Sequence, residues 1–313
     1  MTTLALLFPG QGVQHTAMLP WLDAEPRAAP VLAALATQLG HDDWRARVAE
    51  DDAWASSNAV AQPLMTGLSL AAWAVLAPHL PPPSVVAGYS VGELAAFSAA
   101  GVFDADAALQ LARGRAACMD RSASSAEPAG LLSVSGMATT GVQALCARFG
   151  LALAIRIGVD RCVIGGALAA LDAITLELVA RGGELTRLRV RVASHTPAMA
   201  GAAREFATLI DTMSWSRSRC VIACDLDGAG RRDPTPLKQA LAGQIDHPVE
   251  WGRCMDTVAE RQPGCVLEVG PGSSLVRLWA AAHPQIPARS IDEFKSAQAV
   301  VDWVLRALGK ARD

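Results

Sequence analysis

A chain of 313 residues that is 51% hydrophobic and only 18% charged can bury a large core, and the same balance excludes disorder. Its net charge of -3 leaves no cationic excess to neutralise phosphates, which excludes a polycationic nucleic-acid binder. Seven cysteines, an odd number without metal-ligand spacing, read as reduced thiols of a cytoplasmic protein, with neither a disulfide frame nor a zinc set expected.

Leu4 to Phe8 is an apolar run closed by Pro9 and Gly10. It predicts a buried strand that delivers Gly10-Gln11-Gly12 to a loop. Glycines on both sides of Gln11 allow its backbone and amide to approach a bound group, although a surface turn would read the same way. No basic leader precedes this strand. Residues 28–39 and 64–77 are predicted helices, and Pro63, Pro78 and His79 interrupt the second apolar stretch, so neither a signal peptide nor a membrane span is expected.

Val85 to Ala87 predicts a second buried strand, Gly88-Tyr89-Ser90-Val91-Gly92 a tight turn, and Glu93 onward an alanine-rich helix. A nucleophilic serine needs this strand, turn and helix. Glycines two before and two after Ser90 let the backbone fold closely around it, and the first N–H groups of the helix point to where an oxyanion would develop. A strand-to-helix turn with Ser90 as the N-cap is the other reading.

Asp104 opens the next predicted helix, with LQLARGRAACM over Leu109 to Met119. Arg113 and Arg115 point in different directions on it, so only one easily faces the turn. A guanidinium there could clamp a carboxylate through two parallel hydrogen bonds, whereas a solvated arginine is the plain alternative. Ser122 to Gly130 reads as a polar crossover. Beyond it LLSVSG, a helix near 141–149, LALAIRI, CVIGG, a helix over 168–181 and LTRLRVRV predict a small mixed sheet with two helices, inserted at about residues 128–192.

In that last run Arg187, Arg189 and Arg191 alternate with Leu188, Val190 and Val192, which as a strand makes one basic row. The row either faces solvent or steers an acidic partner. It leads to Ser194-His195-Thr196-Pro197. His195 is the best base among six histidines, because imidazole can accept a serine proton near neutrality; a structural histidine stays open. The rest predicts a helix over Ala198 to Met213, a strand over Cys220 to Leu226, a helix over Leu237 to Ile245, a strand over Cys265 to Val269, a helix over about 273–281 and a helical cap over Ile291 to Leu308. Gly270-Pro271-Gly272 could cradle an anion, but no Walker lysine or full dinucleotide fingerprint accompanies it, so neither ATP nor NAD is expected.

Six separated motifs agree with one family. FPGQG at Phe8 to Gly12, GYSVGE at Gly88 to Glu93, Arg115 with Met119, SHTPAM at Ser194 to Met199, QIDHPVEW at Gln244 to Trp251 and LEVGPG at Leu267 to Gly272 stand in the order of the malonyl-CoA:acyl carrier protein transacylases, which the chain resembles. The resemblance implies an α/β fold: an α/β-hydrolase-like catalytic domain, residues 1–127 and 193–313, interrupted by a ferredoxin-like subdomain, residues 128–192. It implies Ser90 as nucleophile, His195 as base and Arg115 as the clamp on the substrate carboxylate. Gln11 and the Val91 N–H would serve the oxyanion region, and the Gln244 carbonyl would orient the histidine. Tyr89 stands where the family's pattern has histidine, and IRIGVDRCVIGG replaces the usual approach to the VxxG strand.

Malonyl-CoA is then the substrate, an acyl carrier protein the partner, and no bound cofactor or metal is implied. The style of the motifs is similar to the transacylase subunit of malonate decarboxylase, whose carrier bears a dephospho-CoA-derived group. A transacylase of fatty-acid or polyketide synthesis is the alternative, followed by a serine hydrolase and a noncatalytic carrier-binding subunit.

Overall fold

The computed structural model describes residues 3–124 and 127–309. In chain order its strands are β1 (Thr3–Phe8), β2 (Pro83–Gly88), β3 (Ala129–Ser135), β4 (Ala152–Arg156), β5 (Arg161–Ala167), β6 (Glu184–Arg187), β7 (Val221–Ala223), β8 (Gly230–Arg231), β9 (Pro263–Glu268) and β10 (Ala288–Ser290). They form two sheets. The larger has the order β10-β9-β1-β2-β7-β8, parallel except for β8, and the smaller the antiparallel order β4-β5-β3-β6. The architecture is therefore α/β with a large and a small unit.

A parallel sheet is buried on both faces, and β1 has the side chains for it. Leu4, Leu6 and Phe8 enter one apolar cluster with the helix Asn58–Leu76, while Ala5 and Leu7 enter another with Trp251 and Trp279. Leu131, Ile155 and Val163 of the small sheet join that second cluster, so the two sheets share a core along one side. On its other face the small sheet packs Leu132, Val134 and Ile164 against Leu145, Leu171, Ile174 and Leu178, from the helices Thr139–Phe149 and Leu168–Ala180.

Several predicted boundaries move. The second long helix starts at Asn58, with Pro63 inside it. The carbonyl that Pro63 cannot bond is that of Ala59, which is exposed to solvent, so the proline costs little there. Although long and apolar enough to cross a membrane, this helix is mostly buried inside the protein. The C-terminal cap is a short 3-10 turn, Ile291–Glu293, followed by the helix Ala297–Ala307. Of the polar crossover, residues 125 and 126 lie outside the described residues; the helix before it runs to Ser124 and β3 begins at Ala129.

The basic row is not one strand. β6 pairs with β3 from Glu184 to Arg187, the Leu188 N–H donates once more to the Leu131 carbonyl at 3.0 Å, and Leu188 and Val190 pack against the shared core. Arg187 pairs with Asp172 and Arg189 with Asp52, and both arginines are at the surface. The glycine turn after β9 holds an anion of the protein's own: Asp292 accepts the Gly272 N–H at 2.7 Å and pairs with His15 at 2.6 Å.

Candidate active site

β2 ends in the turn Tyr89-Ser90-Val91, and the helix Gly92–Ala99 leaves from it. A Cβ on Gly88 would collide with the Glu93 backbone nitrogen, and one on Gly92 with the Phe8 carbonyl. Only glycine admits so tight a turn at both places. Ser90 is left with φ 56, a left-handed conformation that costs a non-glycine residue about 1–2 kcal/mol. His195 has φ 63, and its N–H donates to the Ile245 carbonyl at 2.8 Å. Two strained residues thus face each other, with Ser90 Oγ 2.8 Å from His195 Nε2.

His195 Nδ1 lies 2.5 Å from the Gln244 carbonyl oxygen. A carbonyl only accepts, so Nδ1 carries the proton and Nε2 is free to accept from the serine hydroxyl. Burial, with the Arg115 charge adding to it, lowers the imidazole from its ordinary 6.5 to about 3, while the bond to Gln244 opposes the shift. The ring is neutral at physiological pH.

Arg115 comes from the helix Ala105–Ser124 and is 1% exposed, whereas Arg113 on the same helix is at the surface. Its Nη1 donates to Gln62 Oε1 at 2.8 Å and its Nη2 to Gln244 Oε1 at 3.2 Å, and Nη2 is also 3.4 Å from Ser90 Oγ. Burial lowers its pKa to about 10, so it stays charged near neutrality. Its Nε is buried without a hydrogen-bond partner among the described residues. A held cation with an unused donor beside a serine hydroxyl suits a small anionic group on the reacting molecule.

Gln11 reaches the same cleft, of about 40 Å³, with Met119, Leu131 and Ile155 as apolar walls. Its Nε2 donates to Asn58 Oδ1 at 3.0 Å, and Asn58 donates in turn to Asp120 at 2.7 Å. This tether holds the Gln11 amide nitrogen on Asn58. Val91 precedes the first helical residue with φ -60 and ψ -22, so its N–H is among the helix's opening donors. Tyr89, in place of the pattern's histidine, sets its ring edge-on to Trp251 at 5.1 Å.

The acyl transferase domain family matches residues 5–304 of this sequence. The chain belongs to that family. Among curated relatives of this acyltransferase is the malonyl CoA-acyl carrier protein transacylase of Mycobacterium tuberculosis, 32% identical over 292 residues, covering 92% of this chain and 96% of the relative. The solved malonyl-CoA:acyl carrier protein transacylase of Xanthomonas oryzae pv. oryzae superposes with a TM-score of 0.89 at 28% identity, over 97% of this chain and 98% of that one. A malonyl-transacylase solved in complex with its type II polyketide acyl carrier protein superposes with a TM-score of 0.88 at 25% identity, over 96% of this chain and 99% of that one. These relatives overturn the expectation of a malonate decarboxylase subunit and its carrier. The motifs that suggested it are short, whereas the similarity that spans nearly the whole chain runs to the carrier-protein transacylases.

The structure thus brings Ser90, His195, Arg115 and Gln244 of this acyltransferase together, with Gln11 lining the same cleft and Val91 buried next to the serine. Sequence reasoning missed three neighbours. Gln62 lies before the predicted start of the second helix at residue 64 but inside the observed helix, where its Oε1 accepts from Arg115. Asp225 accepts the Ser90 N–H through Oδ2 at 2.6 Å, and Glu93 Oε1 accepts the Asp225 N–H at 2.7 Å. A polar residue just past the end of a parallel strand beside the serine's strand was the available signal for Asp225. Among the described residues, no group of three or more histidine, cysteine, aspartate or glutamate side chains could hold a metal ion.

Proposed function

We propose that this acyltransferase moves a malonyl group from CoA to the thiol of an acyl carrier protein through a malonyl-Ser90 intermediate, in the service of fatty-acid or polyketide synthesis. The observation that carries the reading is Arg115: a buried cation beside the serine hydroxyl, braced by two glutamines and with a donor to spare. A malonyl thioester has a free carboxylate to meet it, and an acetyl thioester has none.

His195 removes the Ser90 proton as Oγ attacks the thioester carbonyl, and the oxyanion lies against the Val91 N–H and the Gln11 backbone. The imidazolium returns the proton to the departing CoA sulfur. The carrier thiol then gives its proton to His195, takes the acyl group and frees Ser90. Gln244 serves twice in this reading, its carbonyl on the histidine and its amide on the arginine.

We read the large unit as α/β-hydrolase-like, residues 1–127 and 193–313, and the inserted unit as ferredoxin-like, residues 128–192, with the cleft where they meet. Residues 1, 2, 125, 126 and 310–313 of those spans lie outside the described residues. A cytoplasmic setting accords with seven free, buried cysteines. Gly12, next to Gln11, lines a second cavity of about 350 Å³ with His15, Ser56 and Arg189, which offers room for the long arm of a CoA or carrier thiol.

The test is to incubate the enzyme with radiolabelled malonyl-CoA and chase the product with water or with a phosphopantetheine carrier. Rapid transfer to the carrier and slow loss to water is expected. Fast release to water alone would make it a hydrolase.

Two further outcomes follow from the geometry. Neutral imidazole is the competent base, so the acylation rate holds as pH falls through 6.5 and declines only toward the lowered pKa of about 3. Arg115→Gln removes one cause of that lowering and moves the acid limb upward, measured by single-turnover acylation with acetyl-CoA, which needs no clamp. A wild-type limb near the ordinary histidine value would contradict the assignment. At the surface, the Arg187 and Arg189 pairs are exposed and weak, so a carrier's carboxylates can replace their partners. Arg187→Glu, at a residue outside the lining of the second cavity, is expected to raise the carrier KM severalfold at low salt and to spare acyl-enzyme formation. Unchanged carrier kinetics would remove that face from the docking site.

A further inference from the structure

Ser90 has a backbone N–H that its own turn does not satisfy. The turn's hydrogen bonds run from Gly92 N to the Tyr89 carbonyl and from Glu93 N to the Ser90 carbonyl. The Ser90 N–H points the other way, into the protein, where Asp225 Oδ2 accepts it at 2.6 Å. β7 pairs in parallel with β2, with Ala223 opposite Ala87, so residues just past the two strand ends lie at the same level. Asp225 is fully buried, and its other oxygen, Oδ1, meets Cys254 Sγ at 3.9 Å. The Asp225 N–H donates to Glu93 Oε1 at 2.7 Å, and Glu93, also fully buried, belongs to the helix that follows Ser90. The bonds close a ring from the serine, through the neighbouring strand, to the helix after the serine.

We infer that Asp225, seated by Glu93, is a positioning residue that holds the Ser90 main chain in the left-handed conformation from which its hydroxyl meets His195. The inference rests on Ser90 being the nucleophile. Without that acceptor, a buried N–H would be left unpaired, and the serine could relieve both the unpaired donor and its positive φ by rotating out of the elbow. The Oγ to Nε2 contact would then be lost, although Arg115 and the acyl pocket are untouched. What the role requires is an acceptor oxygen at this place. Burial pushes both carboxyls up, Glu93 to about 8 and Asp225 well above its ordinary range with Glu93 adding to the effect, so a charge at Asp225 is not what the pocket favours.

Asp225→Asn separates these requirements, because its carbonyl oxygen can accept from Ser90 while its amide faces the Cys254 sulfur. Asp225→Ala removes the acceptor. With malonyl-CoA and a carrier protein, the full-length Asp225→Ala enzyme is expected to lose about 10- to 100-fold in kcat and in single-turnover acylation rate, with KM for malonyl-CoA changed by less than about twofold. Asp225→Asn is expected to recover kcat to within about threefold of wild type. Should the alanine variant not fold, as judged by circular dichroism, Asp225→Ser takes its place, since its shorter side chain does not reach the Ser90 N–H.

A folded variant lacking the acceptor that acylates at the wild-type rate would overturn the role. So would an asparagine variant as slow as the alanine one, or a loss confined to KM. Ser90→Ala run alongside tells the two ideas apart: an acyl-enzyme formed without Ser90 defeats the nucleophile assignment itself, whereas its absence with a fast Asp225→Ala enzyme defeats only the positioning role.

Discussion

Replacing Ser90 with alanine is expected to abolish the acyl-enzyme and to lower kcat for malonyl transfer by about 10⁴-fold or more. Among the described residues, no other hydroxyl is hydrogen-bonded to His195 Nε2. Ser90 Oγ is the hydroxyl within 2.8 Å of the neutral histidine nitrogen, and the tautomer is set by the Gln244 carbonyl on the other side of the ring. Thr196, the next hydroxyl after the histidine, spends its proton on the Ala193 carbonyl at 2.7 Å. Fold stability should hardly fall, because alanine removes one half-buried hydroxyl and leaves the Ser90 N–H to Asp225 in place. The measurement is intact-protein mass after mixing with malonyl-CoA, beside steady-state transfer to a carrier. One added malonyl group on the wild type and none on the variant is expected; a malonylated Ser90→Ala protein would place the nucleophile elsewhere.

The second large effect is on selectivity. Arg115→Ala is expected to lower kcat/KM for malonyl-CoA by about 10²- to 10³-fold, since removing one partner of a buried, hydrogen-bonded charge pair costs about 2–5 kcal/mol. Acetyl-CoA is the internal control. Arg115 also braces Gln62 and Gln244, and the Gln244 carbonyl anchors the base, so some loss with acetyl is expected from loosened scaffolding. The clamp is the part of the loss that malonyl suffers and acetyl does not. Arg115→Lys should recover little of it, because a point charge cannot reproduce the fork or reach both glutamines. Equal losses for both thioesters would reduce Arg115 to a structural brace.

Much of this site could be read along the chain because its parts are local. GxSxG needs two glycines at fixed distances from one serine, and Gly88 and Gly92 fill places where a side chain would strike backbone. The pairing of the helix Arg115 with the elbow could be narrowed to one of two arginines by helical spacing alone, and burial then separates them. The apolar runs of β1, β2 and β9 were legible for a similar reason: a strand buried on both faces shows itself as a continuous hydrophobic stretch. Boundaries set by competition between neighbours were not. The run after Leu185 alternates as a strand should, yet regular pairing ends at Arg187, the Leu188 N–H makes one more bond to the Leu131 carbonyl at 3.0 Å, and Leu188 and Val190 pack against the shared core.

What the sequence determined by itself is therefore the chemistry available: a serine on a predicted sharp turn, a histidine fit to be its base, two candidate arginines on one helix, and motifs in transacylase order. Which neighbours brace that chemistry was decided by tertiary structure. Asp225 is 135 residues from Ser90 in the chain, and Gln62 is 53 from Arg115; neither lies in a local pattern that announces a partner. Their contacts exist because β7 lies beside β2 and because the helix Asn58–Leu76 packs near the one carrying Arg115. A buried polar group must find its partner wherever the fold brings one within reach, and that distance is a property of packing rather than of sequence spacing.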